Sequence, residues 1–264
     1  MKRALCVGIN RYPQPGMDLQ GCVNDAGNWS TLLVDHYDFA RDDVTVLLDE
    51  QATHANILAG LKALMAGATK GDVLVFTNSS HGTYLADTTG DEPVYDEAMC
   101  PYDTADHPLV DDELRTLFAD LAAGVSLAVL ADSCHSGSVT RAMPLRTPDQ
   151  RRVRFMSPRA IGRPEIPEVR RTAQPRKEAH PEADMKEILL SGCKSSQYSY
   201  DAVIGDAPSG AFSHFALVAI RDASYKITYE ELHALVVPAL AESNYDQEPQ
   251  LEGTAADKAR QIFV

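Results

Sequence analysis

The chain has 264 residues, 44% of them hydrophobic and 23% charged, enough to bury the core of one large domain or two small ones. A formal net charge of −14 argues against nucleic acid as a partner, because neutralising phosphates takes a basic face, and it suits cationic partners instead. No apolar run approaches the roughly 18 residues of a membrane span, and the opening Met1-Lys-Arg-Ala-Leu-Cys-Val-Gly-Ile9 reads as a strand rather than a secretory signal, so no membrane partner and a cytoplasmic location are expected.

Strand-like and helix-like stretches alternate along the chain. Residues 3–9 predict a strand, 23–36 a helix with Ala26, Trp29, Leu32 and Leu33 at helical spacing, and 43–48 a second strand. Thr53 reads as the N-cap of a helix whose Ile57, Leu58, Leu61, Leu64 and Met65 share a face, with Gly67 at its end. Residues 72–77 predict a third strand that runs directly into Asn78-Ser-Ser-His-Gly82. An acidic loop from 85 to 112 follows, without a Lys or Arg. A helix is predicted over 111–123, with Leu114, Leu117, Phe118 and Leu121 on one side and acids at its positive end. The apolar run from Val125 is the fourth strand, and it stops abruptly in Asp132-Ser-Cys-His-Ser-Gly137.

The composition then changes. Between 141 and 177 eleven basic residues stand against Asp149, Glu165 and Glu168, together with six prolines, which reads as an extended, mobile linker spanning 141–181. Residues 187–192 predict a fifth strand and 211–221 a helix. Thr228-Tyr-Glu-Glu231 has the form of a capping box opening a helix with Leu232, Leu235, Val236 and Leu240, which Pro238 should bend or shorten. Residues 260–264 read as a last short strand. The alternation predicts an α/β fold with a mostly parallel central sheet and helices on both faces.

Five scattered cysteines without a Cys-x-x-Cys pair argue against a disulfide framework or a structural zinc site. Two of the predicted strands end in reactive-looking side chains, His81 and Cys134. If these strands are parallel neighbours, both residues lie at the carboxyl edge of the sheet, where open α/β sheets bind ligands. A nearby imidazole can deprotonate a thiol, whose free pKa is about 8.5, and later protonate a leaving amine. Gly82 permits close approach of a substrate backbone, and the amides of Gly82 and Cys134 are candidate oxyanion donors. A buried structural cysteine is the alternative for Cys134. His135 and His214 are rival bases, the first pointing away from its neighbour and the second set in an apolar helical run.

Ser79-Ser-His-Gly82, with His81 placed 53 residues before Cys134 in Asp132-Ser-Cys-His-Ser-Gly137, resembles the caspase-like cysteine peptidases, in which His and Cys lie about 50 residues apart. The similarity is greatest to the metacaspase branch, including the caspase-like proteins of prokaryotes. Leu19-Gln-Gly-Cys-Val-Asn-Asp25, Ile188-Leu-Leu-Ser-Gly-Cys193 and Pro249-Gln-Leu-Glu-Gly253 look like further metacaspase segments, so the resemblance covers nearly the whole chain.

This resemblance implies one caspase-like three-layer sandwich made of a large-subunit-like part (1–140), the basic linker (141–181) and a small-subunit-like part (182–264). It implies a His81–Cys134 catalytic dyad that needs no cofactor, acting on protein or peptide substrates as a monomer. A primary pocket is implied from Asp25, Ser79 and Asp132 with Cys22 nearby. Two carboxylates there would hold a guanidinium or ammonium by charge-assisted hydrogen bonds and repel an acidic side chain. Asp25 and Asp132, taken singly, are equally ordinary surface and turn acids. Calcium ligands map onto Asp96, Asp111 and Asp112 with Glu97 adjacent, but a further family acid falls on Arg141, which sets positive charge against the ion. An arginine-rich linker beside an arginine-seeking pocket becomes a self-cleavage target as well as a connector. Two other functions stay open, a catalytically silent scaffold or sensor and an Asp-specific caspase.

Overall fold

The computed structural model describes residues 1–86, 95–134, 151–165, 185–194 and 197–264. Strand β1 (Lys2–Gly8) leads into helix α1 (Cys22–His36), then β2 (Val44–Leu48), α2 (His54–Met65) and β3 (Val73–Ser79). A small meander follows, β4 (Gly82–Ala86), β5 (Tyr95–Met99) and β6 (Leu109–Val110), and then α3 (Asp111–Ala119) and β7 (Ser126–Asp132). The second half holds β8 (Arg152–Val153), β9 (Glu187–Ser191) and a hairpin of β10 (Tyr200–Ile204) and β11 (Ala207–Gly210). It closes with α4 (Ala211–Asp222), α5 (Tyr229–Glu242), β12 (Gln250–Glu252) and α6 (Ala255–Lys258).

Six of these strands form the main sheet, in the order β12-β9-β7-β3-β1-β2. Every pairing is parallel except that of β12 with β9, on the edge. Because side chains alternate along a strand, each central strand feeds two cores. Ala4, Cys6, Val73, Val75, Ala128 and Leu130 pack with Trp29 of α1, Phe212 of α4 and Leu232 of α5. Leu5, Val7, Leu74, Phe76, Leu127 and Val129 pack on the other side with Ile57 and Leu61 of α2 and Phe118 of α3. Burial on both faces explains why these strands read as continuous apolar runs. The predicted helices sit on both faces as expected. Thr53 caps α2 by accepting from the Asn56 amide, and Thr228 and Glu231 complete the capping box of α5. No helix among the described residues is long and apolar enough to cross a membrane.

Four expectations are corrected. Helix α5 runs unbroken through Pro238, which lies on its exposed side, where water can satisfy the carbonyl freed by the missing N–H. Residues 260–264 do not form a strand: Gln261 makes one isolated bridge to Thr228, and Phe263 turns the backbone out of the extended region at φ 57°. The acidic stretch is not loop throughout, since β5 and β6 pair antiparallel within it; residues 87–94 lie outside the described residues. The basic segment is not a mobile linker where it is described. In residues 151–165, Arg154, Met156 and Ile161 are buried, and β8 pairs with β10 in a second, antiparallel sheet of order β11-β10-β8. Residues 135–150 and 166–184, including His135, Arg141 and the rest of the segment, lie outside the description.

Candidate active site

Strands β3 and β7 pair in parallel with Ser79 opposite Asp132. His81 and Cys134 therefore each lie two residues beyond the last paired position, at the same edge of the sheet. Gly82 and Cys134 donate their amides to one and the same oxygen, the main-chain carbonyl of Arg154, at 3.0 and 3.2 Å. His81 is buried, with its ring 5.1 Å from that of Tyr12. Its Nε2 lies 2.6 Å from the Met17 carbonyl. A carbonyl only accepts, so Nε2 carries the proton and Nδ1 keeps its lone pair. That buried Nδ1 has no hydrogen-bond partner among the described residues. Burial pushes His81 down to about 4, against the opposing pull of the Met17 carbonyl, so the imidazole is neutral at neutral pH and able to take a proton. His214, the rival base, lies on α4 lining a different cavity with Leu32 and Tyr225.

The Cys134 thiol, fully buried, donates to the Gln197 carbonyl at 2.8 Å. Cys193 shares that carbonyl at 3.6 Å, and its own thiol is pushed up by the hydrogen bond with Cys134 and by burial. The five cysteines are free and buried, so no disulfide framework is present.

The predicted pocket acids are brought together, and they are not surface acids. Asp25 on α1 and Asp132 at the end of β7 are 0% and 1% exposed. Asp201 of β10 joins them as a third carboxylate. Arg154 fills the space between: its guanidinium reaches Asp25 at 2.6 Å, Asp132 at 3.2 Å and Asp201 at 3.2 Å. Its Nη1 also donates to the Asp132 carbonyl at 3.0 Å. Burial would disfavour the charge on Arg154, but the carboxylates of Asp132, Asp25 and Asp201 hold it charged. Burial pushes the Asp25 carboxyl up, and Arg154 pulls it back down. The remaining lone pairs are satisfied by local donors. Ser209 Oγ and the Gly210 amide serve Asp25. Ser199 Oγ, Ser213 Oγ and the Ser213 amide serve Asp132. The amides of Gln20 and Gly21 serve Asp201. A buried charge costs little only when it is paired and hydrogen-bonded in this way. Cys22 is fully buried nearby, kept neutral by that burial, and Ser79 is buried at the end of β3.

Gly210 lets this cluster close. A Cβ on Gly210 would overlap Asp132 Oδ2 and come within 2.5 Å of Arg154 Nη1. Gly210→Ala is expected to push the guanidinium out of its seat and to cost about 1–3 kcal/mol of stability by overpacking; denaturant unfolding, read beside Gly205→Ala as a turn control, checks it.

The predicted calcium ligands are not assembled into a cage among the described residues. Asp96 and Glu97 lie on β5 and Asp111 and Asp112 at the start of α3. Arg115 pairs with both Asp111, at 3.1 Å, and Asp112. No group of three His, Cys, Asp or Glu side chains among the described residues could hold a metal ion. A divalent cation at Asp111 and Asp112 would compete with the Arg115 guanidinium for their carboxylates.

Four contributors lay beyond the sequence reading. Asp201 carried one signal, an acid inside the otherwise apolar Tyr200–Ile204 strand. Met17 and Tyr12, which orient His81, and Gly210 carried none, because their parts are set by loops and by close approach.

The chain matches the model of the metacaspase, peptidase C14 domain family over residues 2–143. It is 33% identical to Metacaspase-1A of Neurospora crassa, over 100% of this chain and 65% of that protein. It is 41% identical to Metacaspase-7 of Arabidopsis thaliana, over 52% of this chain and 35% of that protein. The chain thus spans less than two thirds of these relatives. Metacaspase-1A of Aspergillus fumigatus is 33% identical over 95% of this chain and 68% of its own. Among solved structures, protein GSU0716 from Geobacter sulfurreducens superposes with a TM-score of 0.74 at 28% identity, covering 100% of this chain and 98% of that one. Caspase-1 from Spodoptera frugiperda, at a TM-score of 0.56 and 14% identity over 96% of this chain and 86% of that one, shares the fold. With a family model matched over more than half its length and relatives a third identical along nearly all of it, this caspase-fold chain belongs to the metacaspase family.

Proposed function

We propose that the chain is a cysteine endopeptidase that cuts after Arg or Lys through Cys134 and His81 and that processes itself within its basic segment. One observation carries this reading. A main-chain carbonyl rests on the amides of Gly82 and Cys134 while the arginine side chain of the same residue rests on Asp25, Asp132 and Asp201. Amides aimed at a carbonyl oxygen stabilise the charge that develops there as a thiolate attacks. Neutral His81 takes the thiol proton through Nδ1 and returns it to the leaving nitrogen, held in that orientation by Met17. Water then releases the acyl group.

The pocket decides the specificity. Three carboxylates around one site favour a cation and repel an acidic side chain, so an Asp-specific caspase is disfavoured. Substrates are proteins or peptides with Arg or Lys at the cut. Dyad, amide donors and pocket all come from one chain, so the proposed activity does not require a second copy. The chemistry draws on no metal, and Arg115 opposes calcium at Asp111 and Asp112.

Fluorogenic peptides ending in Arg, Lys or Asp test the reading, with Cys134→Ala as control. Hydrolysis of the Arg and Lys peptides alone is expected, at the same rate in excess calcium and in chelator. Preference for the Asp peptide would overturn the specificity. Absence of hydrolysis of all three peptides, with the chain remaining uncut, would favour the silent scaffold.

A further inference from the structure

Strand β8 lies along the edge of the β10–β11 hairpin, and its register marks where the residues ahead of a pocket arginine run. Arg152 and Val153 pair antiparallel with Asp201 and Tyr200, and the Arg154 amide donates to the Ser199 carbonyl at 2.9 Å. Strand addition of this kind is how an extended peptide docks to a sheet edge, with the backbone giving affinity and the pockets giving choice. With the Arg154 side chain fixed among Asp25, Asp132 and Asp201, the earlier side chains fall in set places. Val153 packs against the core. Arg151, three residues before Arg154, enters a second site of its own.

That site is a ring and two carbonyls at the end of α5. The Arg151 guanidinium carbon lies 3.9 Å from the centroid of the Tyr245 ring. Its Nη1 donates to the Asn244 carbonyl at 2.6 Å and its Nη2 to the Ser243 carbonyl at 3.4 Å. These carbonyls close the negative end of the helix, where a cation is stabilised. Asn244 makes the left-handed turn that ends the helix, at φ 59°. Tyr245 is buried and braced by the rings of Tyr200 at 5.9 Å and Phe215 at 6.1 Å. The loop that follows is pinned by Gln197, whose Nε2 donates to the Asp246 carbonyl at 2.7 Å and whose Oε1 accepts from the Glu248 amide at 2.8 Å. The same residue's main-chain carbonyl takes the Cys134 thiol. The site is therefore built into the framework around the nucleophile, and little ordering opposes its filling.

Resting on the peptidase reading, we propose that Tyr245 and the carbonyls of Ser243 and Asn244 form a second basic subsite, which selects substrates carrying an arginine three residues before the cleaved Arg or Lys. The substrate class is then a doubly basic sequence of the form Arg-x-x-Arg. A guanidinium suits this site better than an ammonium, because it can stack flat on the ring while two of its N–H groups reach carbonyls. The position between the two arginines is read less well. Arg152 reaches the Asp18 carbonyl, and no ring lies under it among the described residues. Asp246, exposed on the same loop and accepting from the Tyr200 hydroxyl at 2.7 Å, adds negative charge beside the subsite.

Hydrolysis of matched coumarin peptides by the full chain tests this. Acetyl-Arg-Ala-Ala-Arg is expected to exceed acetyl-Ala-Ala-Ala-Arg in kcat/KM by about 4- to 30-fold, the joint scale of an exposed cation–π contact and a cation at a helix end. The gain should lie mainly in KM, since the contact is remote from the reacting bond. Lysine in the first position should gain less, and so should acetyl-Ala-Arg-Ala-Arg, which needs no variant to fold. Tyr245→Leu is expected to bring the ratio close to one and Tyr245→Phe to keep it. Arg151→Ala should also keep it, because Arg151 is only the chain's own occupant of the subsite and Tyr245 is the reader. A ratio near one in wild type, an equal gain with the arginine one residue nearer the cut, loss of the ratio in Arg151→Ala, or a ratio unchanged by Tyr245→Leu would overturn the subsite while leaving the peptidase reading standing. Hydrolysis of neither peptide, by wild type or by Arg151→Ala, sinks that reading and the subsite with it.

Discussion

Cys134→Ala is expected to abolish self-cleavage and to lower Arg-peptide hydrolysis by at least about 10³-fold, the scale on which removing a covalent nucleophile acts. The loss should be chemical, because the fold has little stake in that sulfur. Cys134 is fully buried, its thiol donating to the Gln197 carbonyl, and trimming this small side chain should change stability by about 1 kcal/mol. His81→Ala should cost about 10²–10⁴-fold, as for a general base. A double variant no worse than Cys134→Ala alone would show that the two act as one unit. Steady-state kinetics beside a denaturant melt separate lost chemistry from lost fold.

Asp132→Asn carries the second large effect. Asp132 accepts from Ser199 Oγ, Ser213 Oγ and the Ser213 amide while pairing with the guanidinium at 3.2 Å. An asparagine side chain has one oxygen and one NH2 in place of two acceptor oxygens. The fixed donors, the Ser213 amide and the guanidinium, share Oδ2, while Oδ1 accepts from the Ser199 hydroxyl, which can rotate to accept from the new NH2, so what asparagine removes is the negative charge facing the guanidinium. Replacing a charge-assisted hydrogen bond by a neutral one costs about 1–1.5 kcal/mol, which predicts a fall in kcat/KM for Arg peptides of roughly 5- to 13-fold. A peptide ending in citrulline, the neutral isostere of arginine, should lose far less, so the Arg-to-citrulline ratio reads the charge contribution directly. An equal fall for both peptides would mean that Asp132 supports structure without reading charge.

The placement of His81 and Cys134 at one sheet edge was legible because two strands with apolar runs each end in a short polar segment, and parallel pairing then aligns the ends without further information. The register of Ser79 with Asp132 turns two separate motifs into one site. Asp25 and Asp132 were legible only through the family pattern, since a lone acid at the start of a helix or the end of a strand says nothing of its burial. The fate of the basic segment was not legible. Its prolines and charge favour an extended chain, and an extended chain is also what a substrate strand is. Composition could not tell a solvated connector from a strand whose arginine is paid for by three distant carboxylates. The β4–β5–β6 meander was hidden for a related reason, its acids masking a short alternation. Phe263 shows the limit in a single residue, where an apolar ending suited to a strand turns left-handed and packs against Trp29, Tyr37 and Tyr229.

The most direct test of the account is covalent labelling of the processed protein with a peptide that ends in an arginine chloromethyl ketone, followed by mapping of the adduct. The account predicts one adduct per chain, on the Cys134 sulfur, and none from the matching aspartate reagent. Labelling of Cys22 or Cys193 in place of Cys134, or equal labelling by the aspartate reagent, would contradict it.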